Sequence, residues 1–260
     1  MSRGLAAVLV VTAAACFPAY EVGPPSPADG GTQSDSSPPF ESGAAKEAGG
    51  DAAPSSVTFV GSGQNFVNES TNGQKTTTVS LSVQPVAGDV LLAVVWCNDP
   101  TSTMSTPSGW GLRGTQVSPT GSNMWWYLRV AQSGEPSAFS LSCGGTDEIY
   151  AGIAVYRGAQ STQPVDAEYG PQLCDDTGEC DASSIVTSRA GDRLVLLYAL
   201  DGSDGTYSWN APSGTTKRVD LGEVAIADGP TTSVGATGTQ VAMHTNDSEY
   251  AGVDFVALGP

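Results

Sequence analysis

The chain repeats itself, and an internal repeat limits the folds open to it. "VAGDVLLAVVW" at 86–96 answers "RAGDRLVLLYA" at 189–199, "TPSGW" at 106–110 answers "APSGT" at 211–215, and Tyr150-Ala-Gly answers Tyr250-Ala-Gly. The offsets are 103, 105 and 100, so the three matches keep their order to within a short indel. Self-similarity at that spacing implies two structural units of similar build. In the YAG alignment Asp254 takes the place of Ala154, which implies a wetter environment there in the second copy.

Within each half the period is two. "TTTVSLSV" sets Val79, Leu81 and Val83 on one face and Thr78, Ser80 and Ser82 on the other, the pattern of a half-buried strand. "MWWYLRV" sets Met124, Trp126, Leu128 and Val130 against Trp125, Tyr127 and Arg129, and "AFSLSC" puts Phe139, Leu141 and Cys143 together. No segment after residue 56 holds a helical period with caps, and 32 Gly and 17 Pro punctuate the chain. The expected fold is all-β, an antiparallel β-sandwich of jelly-roll-like form built from two related halves. One half has a single apolar face that needs a partner layer. Two halves can provide it in one interleaved sandwich or stand as two tandem small ones; the loop-bearing joint at 158–184 favours one. The domain is expected over 56–260, with pseudo-repeats at about 56–158 and 183–260.

Residues 1–16, "MSRGLAAVLVVTAAAC", have one charge, Arg3, then an apolar run from Gly4 to Ala15. That run is shorter than the roughly 20 residues a membrane-spanning helix needs and fits the core of a signal peptide. The small residues before Cys16 resemble the lipobox of bacterial lipoproteins, with Ala13 where a Leu is usual. The resemblance implies lipidation of Cys16 and a membrane partner through that lipid. Residues 17–55 are rich in Pro, Gly, Ser and acids, too poor in apolar side chains to bury a core, and read as a disordered tether. The expected location is the bacterial envelope, at the outer membrane or cell surface.

Four cysteines follow Cys16, an even number that suits disulfides in an exported domain. In the self-alignment Cys97 meets Leu200 and Cys143 meets Met243, so a cysteine pair in one half answers an apolar pair in the other. The alignment therefore favours Cys97–Cys143 and leaves Cys174–Cys180 as a local clip around "CDDTGEC".

Formal net charge is −17, from ten Lys and Arg against 27 Asp and Glu. Such a surface repels phosphate backbones and argues against a nucleic-acid partner. The acidic loops supply candidate ligands for Ca²⁺: Asp175, Asp176, Glu179 and Asp181 around the clip, and Asp201 and Asp204 in "DGSDG". Neither loop has the spacing of an EF-hand, and Asp-Gly runs also serve plain turns. No other cofactor is indicated. His244, the one histidine, reads as a solvated loop residue, with no nucleophile elbow beside it. No catalytic residue can be assigned. Alternation leaves Trp125 and Tyr127 on an outer face beside Arg129, where flat rings can stack on sugars or anchor a protein partner; the alternative is that a loop or another sheet covers them.

The order "GDVLLAVV…TPSGW…YLRVA…EPSAFSLS…AGIAVYRG…PVDA…AGDRLVLLYA…APSG…YAGVDFVAL" resembles a β-sandwich module of bacterial secreted, surface and phage-tail-associated proteins. The similarity spans about Ser56 to Pro260. The anchor and tether are similar to those of lipoproteins from large-genome Gram-negative bacteria such as myxobacteria. Both resemblances imply a surface module without assigned catalytic residues. The expectation is a non-catalytic binding or adhesion module for a glycan or a surface protein. The alternatives are an extracellular polysaccharide hydrolase with an unassigned carboxylate pair and a purely structural envelope protein.

Overall fold

The computed structural model describes residues 56–118, 121–174, 178–201, 207–231, 233–245 and 250–260. The signal-like segment, Cys16 and the tether lie outside them. Among the described residues every regular element is a strand. The first half contributes β1 (Thr58–Ser80), β2 (Val90–Cys97), β3 (Thr103–Met104), β4 (Gly111–Val117), β5 (Asn123–Val130) and β6 (Ala138–Arg157). The second contributes β7 (Val165–Leu173), β8 (Glu179–Ala182), β9 (Val186–Thr187), β10 (Arg193–Leu200), β11 (Trp209–Asn210), β12 (Thr216–Asp220), β13 (Val224–Pro230), β14 (Gly235–Ala236), β15 (Gln240–His244) and β16 (Ala251–Leu258).

Each half builds its own antiparallel sheet, in the order β1-β6-β2-β5-β4 and β7-β16-β10-β13-β12. These orders correspond strand for strand, so the repeat is a repeat of topology. The halves exchange no strands. They pack sheet against sheet around a core that draws Leu92, Val94, Trp96 and Trp126 from the first half and Val195, Leu197, Ile226 and Val256 from the second. The second half begins at β7, so the joint expected to precede residue 183 already supplies an edge strand.

The central strands are buried on both faces. In β2 the side chains of Val90, Leu92, Val94 and Trp96 enter the shared core, while Leu91, Ala93, Val95 and Cys97 enter a second one on the outer side. The outer cover comes from the same half. β1 and β6 form one long ribbon, pairing 58–68 with 148–157 and then, after register shifts, 73–80 with 138–146. The far part of this ribbon folds back over its own start: Ser82 N–H donates to the Ser62 carbonyl at 2.9 Å and Asn65 Nδ2 to the Thr78 carbonyl at 3.0 Å. The chain crosses itself where it has no side chain, since a Cβ on Gly63 would overlap the Ser80 carbonyl. In the second half the sheet β11-β15-β8 provides the cover, around a third core holding Leu196, Tyr198, Trp209 and Phe255.

The repeated Pro-Ser-Gly corner has one geometry in both copies. Trp110 N–H donates to the Pro107 carbonyl at 3.0 Å and Thr215 N–H to the Pro212 carbonyl at 3.1 Å. Gly109 and Gly214 take φ of 79° and 83°, which only glycine adopts without strain. The registers refine the alignment elsewhere. Trp96 faces Tyr150, whereas its counterpart Ala199 faces Gly252, so the two YAG runs are two residues out of structural register. The true counterpart of Asp254 is Gly152: they face Leu197 and Val94, respectively. Asp254 is 1% exposed, so the expected wetter environment is overturned.

Candidate functional site

Trp125 and Tyr127 do not form a contact surface. They are 7% and 1% exposed, packed with Val79, Phe139 and Leu141 in the outer core. The alternation along β5 holds, but both its faces are covered. Burial pushes the Tyr127 hydroxyl up to about 12. Arg129 is committed as well: Nε donates to Glu135 Oε1 at 2.6 Å and Nη1 to the Ser108 carbonyl at 2.7 Å, and the guanidinium sits 5.7 Å from the Phe139 ring centre.

The cysteines pair as expected, Cys97 with Cys143 and Cys174 with Cys180, at Cα–Cα distances of 6.6 and 5.0 Å. The alignment that led to the first pair needs correction by one residue. Cys143 stands opposite Met104, and the residue opposite Trp209 is His244, while Met243 is 47% exposed. Met104 and Trp209 each precede the repeated corner by three residues, so His244 is the counterpart of Cys143. His244 is thus a strand residue, 6% exposed, edge-on to the Trp209 indole at 5.4 Å, and not a solvated loop histidine.

The candidate calcium ligands among the described residues, Glu179, Asp181 and Asp201, are not part of any cluster that could hold a metal ion. Asp175, Asp176 and Asp204 lie outside the described residues. Glu179 and Asp181 point outward from β8, while Asp201 is buried and accepts a hydrogen bond from Ser118 Oγ at 2.5 Å. Among the described residues no three His, Cys, Asp or Glu side chains cluster closely enough to hold a metal ion.

Asp254 within β16, and Glu223 and Asp192 in the turns that lead into β13 and β10, are buried acids with no signal in the sequence, because an acidic letter in a strand or turn reads as solvent-facing. Asp254 lies among the apolar residues between the sheets and burial pushes its carboxyl up to about 7, against an opposing pull from Arg113. Burial does the same to Glu223, with Glu148 adding repulsion. Asp192 is pushed up to about 7 by burial and by Asp166 beside it. Burial opposes ionisation of Asp166 too, but hydrogen bonds from Ser188 and Arg189 outweigh it and hold that carboxyl below the usual range. Asp166 and Asp192 are two interacting carboxyls, yet Asp192 is 1% exposed and the pair opens onto neither concavity described below.

Two concavities stand out among the described residues. One, of about 340 Å³, lies on the outer cover of the first half and is lined by Gln74, Thr103, Ser105, Thr106, Ser140 and Ser142, among others. No ionisable side chain lines it. It continues an exposed hydroxyl surface on which Thr76 pairs with Ser142 at 2.6 Å and Thr78 with Ser140 at 3.1 Å. The matching surface of the second half differs in character, carrying Val241 and Met243 beside Glu179 and Asp181. The other concavity, of about 270 Å³, opens in the second half near Leu194, Thr215 and Gln240 and is likewise free of charge. Paired hydroxyls on a rigid sheet can accept and donate hydrogen bonds to a neutral ligand; they provide no general acid or base.

Fold and surface together define a class: an antiparallel β-sandwich of two topologically equal halves, each with a disulfide. Comparison with known proteins gives no nearer relation, since no family model, no curated protein and no solved structure matches the chain.

Proposed function

We propose that this protein is a lipid-anchored binding or adhesion module of the bacterial envelope, without catalytic activity, whose ligand is a neutral polysaccharide. The observation that carries the reading is the uncharged hydroxyl surface and its concavity on β1, β3 and β6, in a chain of net charge −17. A surface that acidic repels anionic polymers, and this neutral concavity offers only hydroxyl, amide and backbone groups with the ring of Pro107. A polysaccharide presents complementary hydroxyls along an extended chain. The signal-like segment ending at Cys16 and the two cysteine pairs support export and anchoring. The contact assigned to Trp125, Tyr127 and Arg129 is replaced by Thr76, Thr78, Ser140 and Ser142.

The test is a pull-down on insoluble neutral polysaccharides comparing the wild type with Thr78→Lys/Ser140→Glu. The substitutions are on the exposed face and leave the core intact. Retention of the wild type and loss in the variant supports the reading. Equal retention, or no retention of the wild type on any neutral polymer, removes it.

A further inference from the structure

The second concavity has a template inside the same molecule. In the first half the equivalent space is filled. The Trp110 indole lies edge-on to Phe139, ring centres 5.4 Å apart, and Arg129 closes over Phe139 and bonds to Glu135. Registers and the repeated corner identify the corresponding residues of the second half. Thr215 follows the corner as Trp110 does. Gly229 faces Leu194 as Arg129 faces Leu91. Counted from the His244–Cys143 equivalence, Gln240 takes the place of Phe139. Indole, phenyl ring and guanidinium have all been removed, and about 270 Å³ stands open where they would be.

The lining fixes what can fill it. Leu194, Pro230 and Ala236 are apolar, Thr231 and Thr237 add hydroxyls, and no charged side chain is present. A neutral group is required, since an ion would lose its water with no partner charge. The volume lies at the lower end of ligand pockets and admits about one ring system. Gln240 uses its side-chain N–H on the Thr237 and Gly238 carbonyls, at 3.2 and 3.4 Å, so its side-chain oxygen remains as an acceptor for an incoming N–H.

We infer that this cavity binds a tryptophan side chain presented by a partner protein, which takes the place that Trp110 occupies in the other half. A second copy of this chain cannot supply the ring, because all five tryptophans are 7% exposed or less. The site is separate from the hydroxyl surface, so the polysaccharide reading and this one stand or fall independently.

The probe is N-acetyl-tryptophanamide, followed by amide chemical shifts of Leu194, Thr215, Thr231 and Thr237. Methyl glucoside and N-acetyl-leucinamide serve as comparison ligands. Saturable shifts at those amides with the indole, at roughly millimolar concentration for so small a fragment, are expected. Thr215→Trp fills the cavity with its own indole and should abolish them. Gly229 is left unchanged, because a Cβ there would meet the Gly214 carbonyl at 2.7 Å. If Thr215→Trp does not fold, Gln240→Leu removes the acceptor and should weaken the shifts about tenfold, the worth of one hydrogen bond. Absence of saturable shifts, shifts unaltered in the folded variant, or equal response to the sugar overturns the inference.

Discussion

The Trp126 indole N–H donates to the Leu197 carbonyl at 2.9 Å, a buried hydrogen bond that ties the first half to the second across the shared core. Around it the two sheets meet through apolar side chains, and at their margins through hydrogen bonds between glutamine side chains and backbone. Gln64 bonds to the Asp220 N–H and carbonyl along one edge, and Gln116 to the Pro171 carbonyl along the other.

Trp126→Phe keeps an aromatic ring and removes this bond. It should lower stability by roughly 1–3 kcal/mol, combining lost volume with the lost hydrogen bond; the Leu197 carbonyl keeps its ladder partner on β16. Urea denaturation at fixed pH measures it. A loss below 1 kcal/mol would mean that the halves do not depend on the contact.

Asp254 makes stability depend on pH. Its folded-state value of about 7 lies above the ordinary carboxyl value of about 4. Between these values the unfolded chain has lost the proton that the folded chain keeps. Stability from this group is therefore full below about pH 4, falls as pH rises to about 7, and is level above. Asp254→Asn should remove this group's share of the slope, leaving that of Glu223 and Asp192, and gain up to about 4 kcal/mol relative to wild type between pH 4.5 and 8. Urea midpoints at pH 4.5, 6 and 8 provide the comparison, and parallel profiles for the two proteins would contradict it.

Trp125→Ala now becomes a test of folding. Truncating this buried ring should cost roughly 3–5 kcal/mol and leave polysaccharide binding by the folded fraction unchanged. Weaker binding at unchanged thermal stability would return Trp125 to the ligand site.

The two cysteine pairs should differ in worth. Cys97–Cys143 spans 46 residues and Cys174–Cys180 only 6, so loop-closure entropy gives about 4 and about 2 kcal/mol. Paired Cys→Ala variants, compared by denaturant midpoint, should rank in that order.

Cys16→Ser bears on location alone. It should block lipidation and move the protein from the membrane fraction to the soluble one. Unchanged membrane retention would rule out the lipid anchor.

The strand class and the repeat could be read from the sequence because each rests on local pattern. "VLLAVVWC" and "RLVLLYAL" also carried a further signal, since unbroken apolar runs mark strands covered on both faces. By that signal Trp125 and Tyr127, on the strand beside β2, are core residues. Their cover comes from Val79, on a strand read as half-buried, and from Leu141, read as sharing one face with Phe139 and Cys143; both apolar faces needed a partner too. Cys97–Cys143 was legible despite the one-residue slip at Met243, because Cys97 and Cys143 each lie on the inward face of their own strand. Asp254, Glu223 and Asp192 were not legible. Their burial depends on layers supplied from distant parts of the chain, and nothing in the neighbouring letters records it.

The correspondence of the two sheets has a consequence for how such a molecule can change. Were the halves two copies of one polypeptide related by a two-fold axis, every substitution would be made twice. Here Gly152 sits so close to Val219 that a Cβ would approach within 2.5 Å, while its counterpart is the carboxyl-bearing Asp254. Likewise Trp110 closes a space that Thr215 leaves open. Joining the copies in one chain releases each from its twin, so one half can keep a sealed scaffold while the other loses side chains and gains a cavity.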